Sequence, residues 1–565
     1  MLSESIAGQQ QNEISEPRAW RWLKNCADRY IILALVMVAF AAFANSLNDR
    51  FVYEEHLVIE TNYGLRDWNY FKTAFVGSHS SDWSWLNLQT LPVDYYRPFI
   101  RIYFSLAFQA FGLNAQYWHL AYVVMFCLIV VLVYLIIKRI SNHQAVAAIA
   151  ALLFAVHPIH SEAVAWLNGG EVLQAVFLLG GFALYFQARV EDQIRKRRIF
   201  FLGSLVLVAA AMLSKETALC FPILVAAYHF INSQEGFWRR TWLATCAAIP
   251  FLLVVVGYFV LRYFAYGGSL RVTGGMPLKT TLLTIPQVAL QYFRLLILPL
   301  DLNIVYNVPL VESASNANFW APLLLFIGVA VLVCLYMPPT LRYVFIWMAV
   351  TLLPALNIGL FIPELMIQDR YAFLPSLGFC AALAMGLSVL LERINRPTLL
   401  KPGLLIATLL VVAILLGLTI RQNSFWQSDE TIFARAAAIN PNSAFVQCNY
   451  GWSLYYEGKL EEAAQYFTRH FQQSNGKSGC SCLGLGKYYY DRKDYNQAIQ
   501  FYQRAIELGE GDVNMQIFTN LAQAYIDNGQ REQAIALLNR TLASYPQFEQ
   551  ARVLLSQLHN SRLSH

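Results

Sequence analysis

Apolar runs long enough to cross a lipid bilayer recur through this chain as far as Ile420 and then stop, and that pattern restricts its fold more than any other feature. Tyr30 to Phe43, Trp118 to Ile137 and Trp242 to Val260 are such runs, separated by short charged connections. In hydrocarbon, a stretch of this kind satisfies its backbone polar groups only as a helix. Composition agrees: 57% of the 565 residues are hydrophobic and 13% are charged, whereas a soluble protein carries roughly a quarter charged residues. The net charge of +6 sits in short basic blocks between the runs, where it orients spans; nothing in it resembles a nucleic-acid footprint. No small-residue cleavage motif follows the first run, so that run reads as a retained anchor.

About eleven spans are expected, near 30–48, 118–137, 144–157, 171–188, 199–213, 217–232, 242–262, 319–337, 343–361, 371–391 and 403–420. With a cytoplasmic N-terminus, Lys138/Arg139, Arg195 to Arg198, Arg239/Arg240, Arg342 and Arg393/Arg396/Lys401 all fall inside. Segment 280–300 is apolar but is interrupted by Pro286 and Arg294. Counting it as a span would put the last basic block outside, so it reads as re-entrant or interfacial. An odd number of spans then leaves the C-terminus outside, in a periplasm or an organelle lumen.

Beyond the last span the periodicity changes. Ala463, Ala498 and Ala534 occupy equivalent places in three similar segments, 35 and then 36 residues apart, close to the 34-residue tetratricopeptide period. Gly451, Gly486 and Ala522 are the small residues that let paired helices approach closely. Pro441 and Pro546 close equivalent units, which makes Asp429 to Ile439 a leading half-repeat. Such an array presents a concave surface to a peptide or protein, or else braces the bundle. Cys448, Cys480 and Cys482 lie near the starts of adjacent first helices in an oxidising compartment, and their pairing stays open.

Four polar motifs stand at outer ends of spans in this topology. Glu54 and Glu55 follow the first span, and their repulsion and partial desolvation can poise one carboxylate as a base. His157-Pro-Ile-His160-Ser-Glu162 suits a hydrogen-bonded pocket better than a helical metal face, because Pro158 interrupts the spacing. Lys215 either snorkels to the interface or holds a phosphate. Asp369-Arg370 either anchors a helix end or offers paired donors to a phosphate. Together on one membrane face, a carboxylate base and cationic phosphate holders suit a transferase that activates an acceptor hydroxyl while stabilising a departing lipid phosphate.

These motifs, with Tyr96-Arg97-Pro98, the 295–306 stretch LLILPLDLNIVY and Arg370 to Gly378, resemble the transmembrane and tetratricopeptide-repeat-containing O-mannosyltransferases. The resemblance implies an all-α fold: a polytopic GT-C-type bundle followed by a soluble repeat solenoid. It divides the chain into a cytoplasmic segment 1–29, a membrane catalytic domain 30–425 and a periplasmic repeat domain 426–565. The catalytic domain would carry an external loop at 49–117 and a re-entrant or interfacial segment near 264–318. The implied reaction moves one sugar from a polyprenyl-phosphate-linked donor to a protein hydroxyl, by inverting displacement and with the repeats holding the acceptor.

Carried onto this sequence, the base falls on Glu54 or Glu55 and the phosphate contacts on Lys215 and Arg370. The pocket takes His157, His160, Glu162, Tyr96, Arg97 and Asp369. No cofactor is certain, because a divalent metal serves some members of the wider fold and not others. At Asn168-Gly-Gly170-Glu171 the chain departs from the family, which often carries an arginine there. Few repeats and compact loops favour a bacterial inner membrane. Two other readings fit parts of the pattern: the same chemistry on a glycolipid or cell-wall polymer, with the repeats as an assembly scaffold, and a non-enzymatic membrane scaffold.

Overall fold

The computed structural model describes residues 26–76, 95–167, 169–266, 276–360, 363–393, 400–509, 515–546 and 548–560. Most of the expected N-terminal segment, the middle of loop 49–117, Asn168, Arg396 and part of segment 264–318 lie outside the described residues. Helices α1 (Cys26–Phe43), α2 (Pro98–Phe111), α3 (Ala115–Ser141), α4 (Gln144–Ala155), α5 (Ser161–Ala165), α6 (Glu171–Val190) and α7 (Ile194–Ser214) open the bundle. It is completed by α8 (Phe221–Asn232), α9 (Phe237–Ala265), α10 (Leu278–Ile297), α11 (Ala317–Tyr336), α12 (Pro339–Leu352), α13 (Phe373–Arg393) and α14 (Leu400–Ser424). No strand occurs among the described residues.

Nine helices among the described residues are long and apolar enough to cross a membrane, or ten if the pair Gln144–Ala155 and Pro158–Ala165, bent by 54°, is one span. Segment Glu216–Asn232 is apolar but shorter, and it occupies the place of the remaining expected span. This is a multi-pass membrane protein. Trp118, Phe126, Phe154, Phe182 and Trp347 fill its core. Leu253 and Val256 of α9 and Leu405, Leu409 and Ile414 of α14 are exposed, as side chains facing lipid would be. α10 is amphipathic and is not among the nine: Val288, Tyr292, Leu295 and Leu296 pack inward while Leu278 and Leu282 stay exposed. At one end of the bundle Asp28 accepts from Lys138 at 2.6 and 2.7 Å and from Gln144 at 2.8 Å, tying α1 to α3 and α4.

The repeat array comprises α15 (Asp429–Ile439), α16 (Ala444–Tyr456), α17 (Leu460–Gln473), α18 (Gly479–Asp491), α19 (Tyr495–Glu507), α20 (Gln516–Asp527), α21 (Arg531–Ser544) and α22 (Glu549–Asn560). A capping box between Ser428 and Thr431 starts α15, and Ser443, Ser478 and Asp494 cap α16, α18 and α19. The small residues act as their spacing implied. A Cβ on Gly451 would lie 2.5 Å from the Phe467 ring, and one on Gly486 would lie 2.6 Å from Tyr502. Ala463, Ala498 and Ala534 are buried between the helices. Cys448 and Cys480 form a disulfide joining α16 to α18.

The array is seated on the loops at the end of the bundle away from Asp28. Glu364 accepts from Ser443 Oγ at 3.0 Å and from the backbone N–H groups of Ala444 and Phe445 at 3.3 and 3.2 Å, at the start of α16. Asn440 Nδ2 donates to the Val305 carbonyl at 2.7 Å, and Trp166 stacks on Trp426 at 6.4 Å.

Candidate active site

The segment after α1 turns sharply at Tyr53, whose φ of +55° is the left-handed conformation. A bulky aromatic holds that conformation at a cost of about 1–3 kcal/mol, a kind of strain that clusters at functional sites. Beyond this turn the adjacent carboxylates take different environments. Glu55 is fully buried, and its two oxygens accept from the Val52 N–H at 2.9 Å and the Leu167 N–H at 2.6 Å. Burial pushes its carboxyl up to about 8, against the opposing pull of those two donors. Glu54 is half-buried and lines a cleft of about 870 Å³ between this segment and the repeats. It lies close enough to Arg370, Tyr95 and the Tyr53 hydroxyl for its charge to act on all three.

The first repeat helix fastens this segment. Asp429 accepts from the Tyr53 N–H at 2.6 Å and from His56 Nε2 at 3.0 Å, while His56 Nδ1 meets Glu60 at 2.5 Å. The Asp429 carboxylate, with help from Glu60, raises the His56 imidazole to about 9 despite partial burial.

Beside Glu54, four helix termini bring together three cations. Arg97 precedes α2, Lys215 follows α7, Glu171 starts α6 and Arg370 lies in the short turn before α13. Each cation has a carboxylate partner. Arg97 donates to Glu216 at 3.0 and 3.1 Å, and Lys215 pairs with Glu171 and donates to the Gly169 carbonyl at 2.9 Å. Arg370 pairs with Glu162 through its guanidinium and through its backbone N–H at 3.0 Å, and its Nε lies 3.5 Å from Glu171. Aromatic faces complete the cage: Arg97 lies 4.1 Å from the Tyr95 ring centre, Arg370 4.5 Å from Trp166 and Lys215 5.0 Å from Tyr371. Three guanidinium or ammonium groups against Glu162, Glu171 and Glu216 leave the cluster near neutral, with one oxygen each of Glu171 and Glu216 buried and without a hydrogen-bond partner.

Two glycines permit this closeness. A Cβ on Gly169 would sit 2.3 Å from a Glu171 oxygen. Gly170 has a φ of +76°, and a Cβ there would sit 2.4 Å from Ile100.

A family model described as "Dolichyl-phosphate-mannose-protein mannosyltransferase" matches residues 97–259, which hold Arg97, Glu162, Glu171, Lys215 and Glu216. A tetratricopeptide-repeat model matches residues 489–558. Protein O-mannosyl-transferase TMTC3 of Mus musculus is 26% identical over 93% of this chain and 61% of its own length. Protein O-mannosyl-transferase TMTC1 of Homo sapiens is 25% identical over 75% of this chain and 53% of its own. This chain is similar to the TMTC protein O-mannosyl-transferases over most of its length. It spans about half to three-fifths of the length of these curated relatives. Among solved structures, ArnT from Cupriavidus metallidurans bound to undecaprenyl phosphate is 16% identical over 85% of this chain and 80% of that one. Its TM-score is 0.40, a likeness too distant to carry an argument.

Against the residues implied by the family resemblance, the structure brings Glu54, Arg97, Glu162, Lys215 and Arg370 together and places others elsewhere. His157 is buried in the bend between α4 and α5, where Nδ1 accepts from the Ile159 N–H at 3.2 Å and Nε2 meets the Leu296 carbonyl at 3.0 Å. His160 meets Ser376 at 2.8 Å and is packed among Phe126, Phe154 and Phe373. Neither lines the cleft: both rings are buried, His157 held through both nitrogens and His160 through Nε2. Tyr96 is likewise buried, with its ring against Tyr258 and Tyr266, and it is Tyr95 that faces Arg97. Asp369 is held by the Tyr306 hydroxyl and anchors the turn that presents Arg370.

The counter-charges Glu171 and Glu216, the aromatics Tyr53, Tyr95, Trp166 and Tyr371, and the clamp Asp429 were given no site role from sequence, although Glu171, Glu216, Trp166 and Tyr371 stand within the motifs read there. No group of three or more His, Cys, Asp or Glu side chains is placed to share a metal ion among the described residues. Glu162, Glu171 and Glu216 are each engaged with a cation instead, so this donor set does not fit a divalent site.

Proposed function

We propose that this protein is a GT-C-type glycosyltransferase. It moves a single sugar from a polyprenyl-phosphate-linked donor to a hydroxyl of a protein acceptor, at the periplasmic face of a bacterial inner membrane. One observation carries this reading: Glu54 opens to the cleft beneath the repeats on one side and lies within electrostatic reach of Arg370, a member of the Arg97–Lys215–Arg370 cluster, on the other. A displacement at a phosphate-activated carbon needs those two elements adjacent.

Glu54 takes the proton of the acceptor hydroxyl as its oxygen attacks the anomeric carbon. The bond from that carbon to the phosphate oxygen breaks, and the electron pair leaves with the polyprenyl phosphate. Attack opposite the leaving group in a single displacement inverts the configuration. Arg97, Lys215 and Arg370 stabilise the phosphate charge, and their glutamate partners and aromatic neighbours keep them fixed before the donor arrives. The relatives' name, protein O-mannosyl-transferase, supports mannose as the sugar and protein as the acceptor. The positive-inside rule supports the outward placement of the site and repeats.

Glu54→Gln in proteoliposomes supplied with a polyprenyl-phosphate-linked mannose and an acceptor protein tests the reading. Transfer is expected to fall about 10²- to 10⁴-fold with thermal stability unchanged. Transfer within tenfold of wild type would remove Glu54 as the base.

A further inference from the structure

The cleft beneath the repeats has its own chemistry. On the array side its wall is built from α15, α16, α20 and α22. Asn449, Trp452, Ser453 and Tyr456 of α16 are spaced i, i+3, i+4 and i+7 and so share one face. Gln516 at the start of α20 and Gln550 in the first turn of α22 extend the wall along the array. Tyr456 is 78% exposed yet stacks on Trp452 at 5.9 Å, which leaves an aromatic platform open to the cleft.

Charge is unevenly shared across it. Glu54, Asp429 and Glu457 line the cleft, against Arg50 and His56. Arg50 already faces Glu457 at 3.5 Å, and His56 lies between Asp429 and Glu60. The carboxylates outnumber the cations even with His56 protonated. Gln550 is exposed on this wall, and a side-chain amide pairs best with main-chain groups that only a segment lacking its own secondary structure leaves open.

We propose that the cleft is the acceptor subsite and that it selects an extended polypeptide segment whose hydroxyl residue is flanked by basic rather than acidic side chains. Its acceptor role rests on the transferase reading above. The peptide chemistry follows from the cleft itself. Tyr456 and Trp452 hold a side chain of the segment on their faces. Glu457 and Asp429 attract basic flanks and repel acidic ones. The hydroxyl-bearing residue lies over Glu54.

The test uses the full chain in nanodiscs without donor. Its probes are fluorescent twelve-residue peptides with a central threonine, flanked by lysine, glutamine or glutamate. The lysine-flanked peptide is expected to bind about tenfold more tightly than the glutamate-flanked one at low salt, with the gap closing at high salt. Glu457→Lys should shrink the preference at least about threefold, and Tyr456→Ala should weaken all three peptides about fivefold. Both side chains are exposed, so neither change threatens folding.

Equal binding of the three peptides, or binding indifferent to both substitutions, overturns the proposal. Because no donor is present, the two readings fail separately. Selective binding without sugar transfer sinks the transferase and keeps the peptide subsite. Sugar transfer with no dependence on Glu457 or Tyr456 does the reverse.

Discussion

Replacing Asp429 with asparagine isolates the contact through which the repeat array holds the segment bearing Glu54. Its Oδ1 accepts the Tyr53 N–H and its Oδ2 faces His56 Nε2. An amide has one acceptor oxygen, so the substituted side chain can keep the Tyr53 bond only by turning its NH₂ toward the imidazole. His56 then loses the main cause of its raised pKa. The rise from an ordinary 6.5 to about 9 corresponds to about 3 kcal/mol before screening. The His56 side chain is 41% exposed and that of Asp429 26%, which reduces the clamp to about 1–2 kcal/mol.

The folded pKa lies above the unfolded one, so this stabilisation is fully present below about pH 6.5 and is lost as pH rises through about 9. Hydrogen exchange of residues 50–61 at pH 6.5, corrected for intrinsic rates, should show the opening equilibrium of Asp429→Asn increased about 5- to 30-fold over wild type. Wild-type protection should fall between pH 6.5 and 9, and the variant's, which keeps only the Glu60 partner, should fall less. Equal protection in the two proteins at pH 6.5 would refute the clamp.

Two further outcomes concern buried carboxylates. Above about pH 8, where the Glu55 carboxyl is ionised, Glu55→Gln puts an NH₂ against the N–H of Val52 or Leu167 and should lower stability by about 2–4 kcal/mol. That loss should be visible in thermal melting of the solubilised protein, in contrast to Glu54→Gln. Glu171→Ala strips a shared counter-charge from Lys215 and Arg370 and should cost about 3–5 kcal/mol. Glu171→Gln should recover part of the folded yield, as read by size-exclusion chromatography.

Much of this architecture was legible along the chain because it depends on local pattern. Whether a residue lies in lipid or in a repeat follows from the polarity of its neighbours within a few helical turns, and those turns recur at fixed periods. The close approach at Gly451 and the burial of Ala463, Ala498 and Ala534 were therefore readable from spacing. The motifs containing Lys215, Glu162 and Arg370 also stood out, since charges at the ends of apolar runs are costly to place without a purpose.

The pairing of those charges was not legible. Arg370 meets Glu162 and Glu171 about two hundred positions away in the chain, and Arg97 meets Glu216 across more than a hundred. Such partners are chosen by which helix termini meet, and no local periodicity records that. The same reason explains the histidines. His157 and His160 look like site residues in sequence, but the groups that hold their Nε2 atoms, the Leu296 carbonyl and the Ser376 hydroxyl, arrive from α10 and α13.

The sequence by itself determined that this chain spans a membrane many times and ends in a helical repeat array, because burial in lipid and stacking of repeats are written in short-range polarity. Only the tertiary structure decided which of two adjacent glutamates faces the cleft. That outcome depends on the left-handed turn at Tyr53, on two backbone N–H groups that reach Glu55, and on Asp429, which arrives from the repeats nearly four hundred residues later.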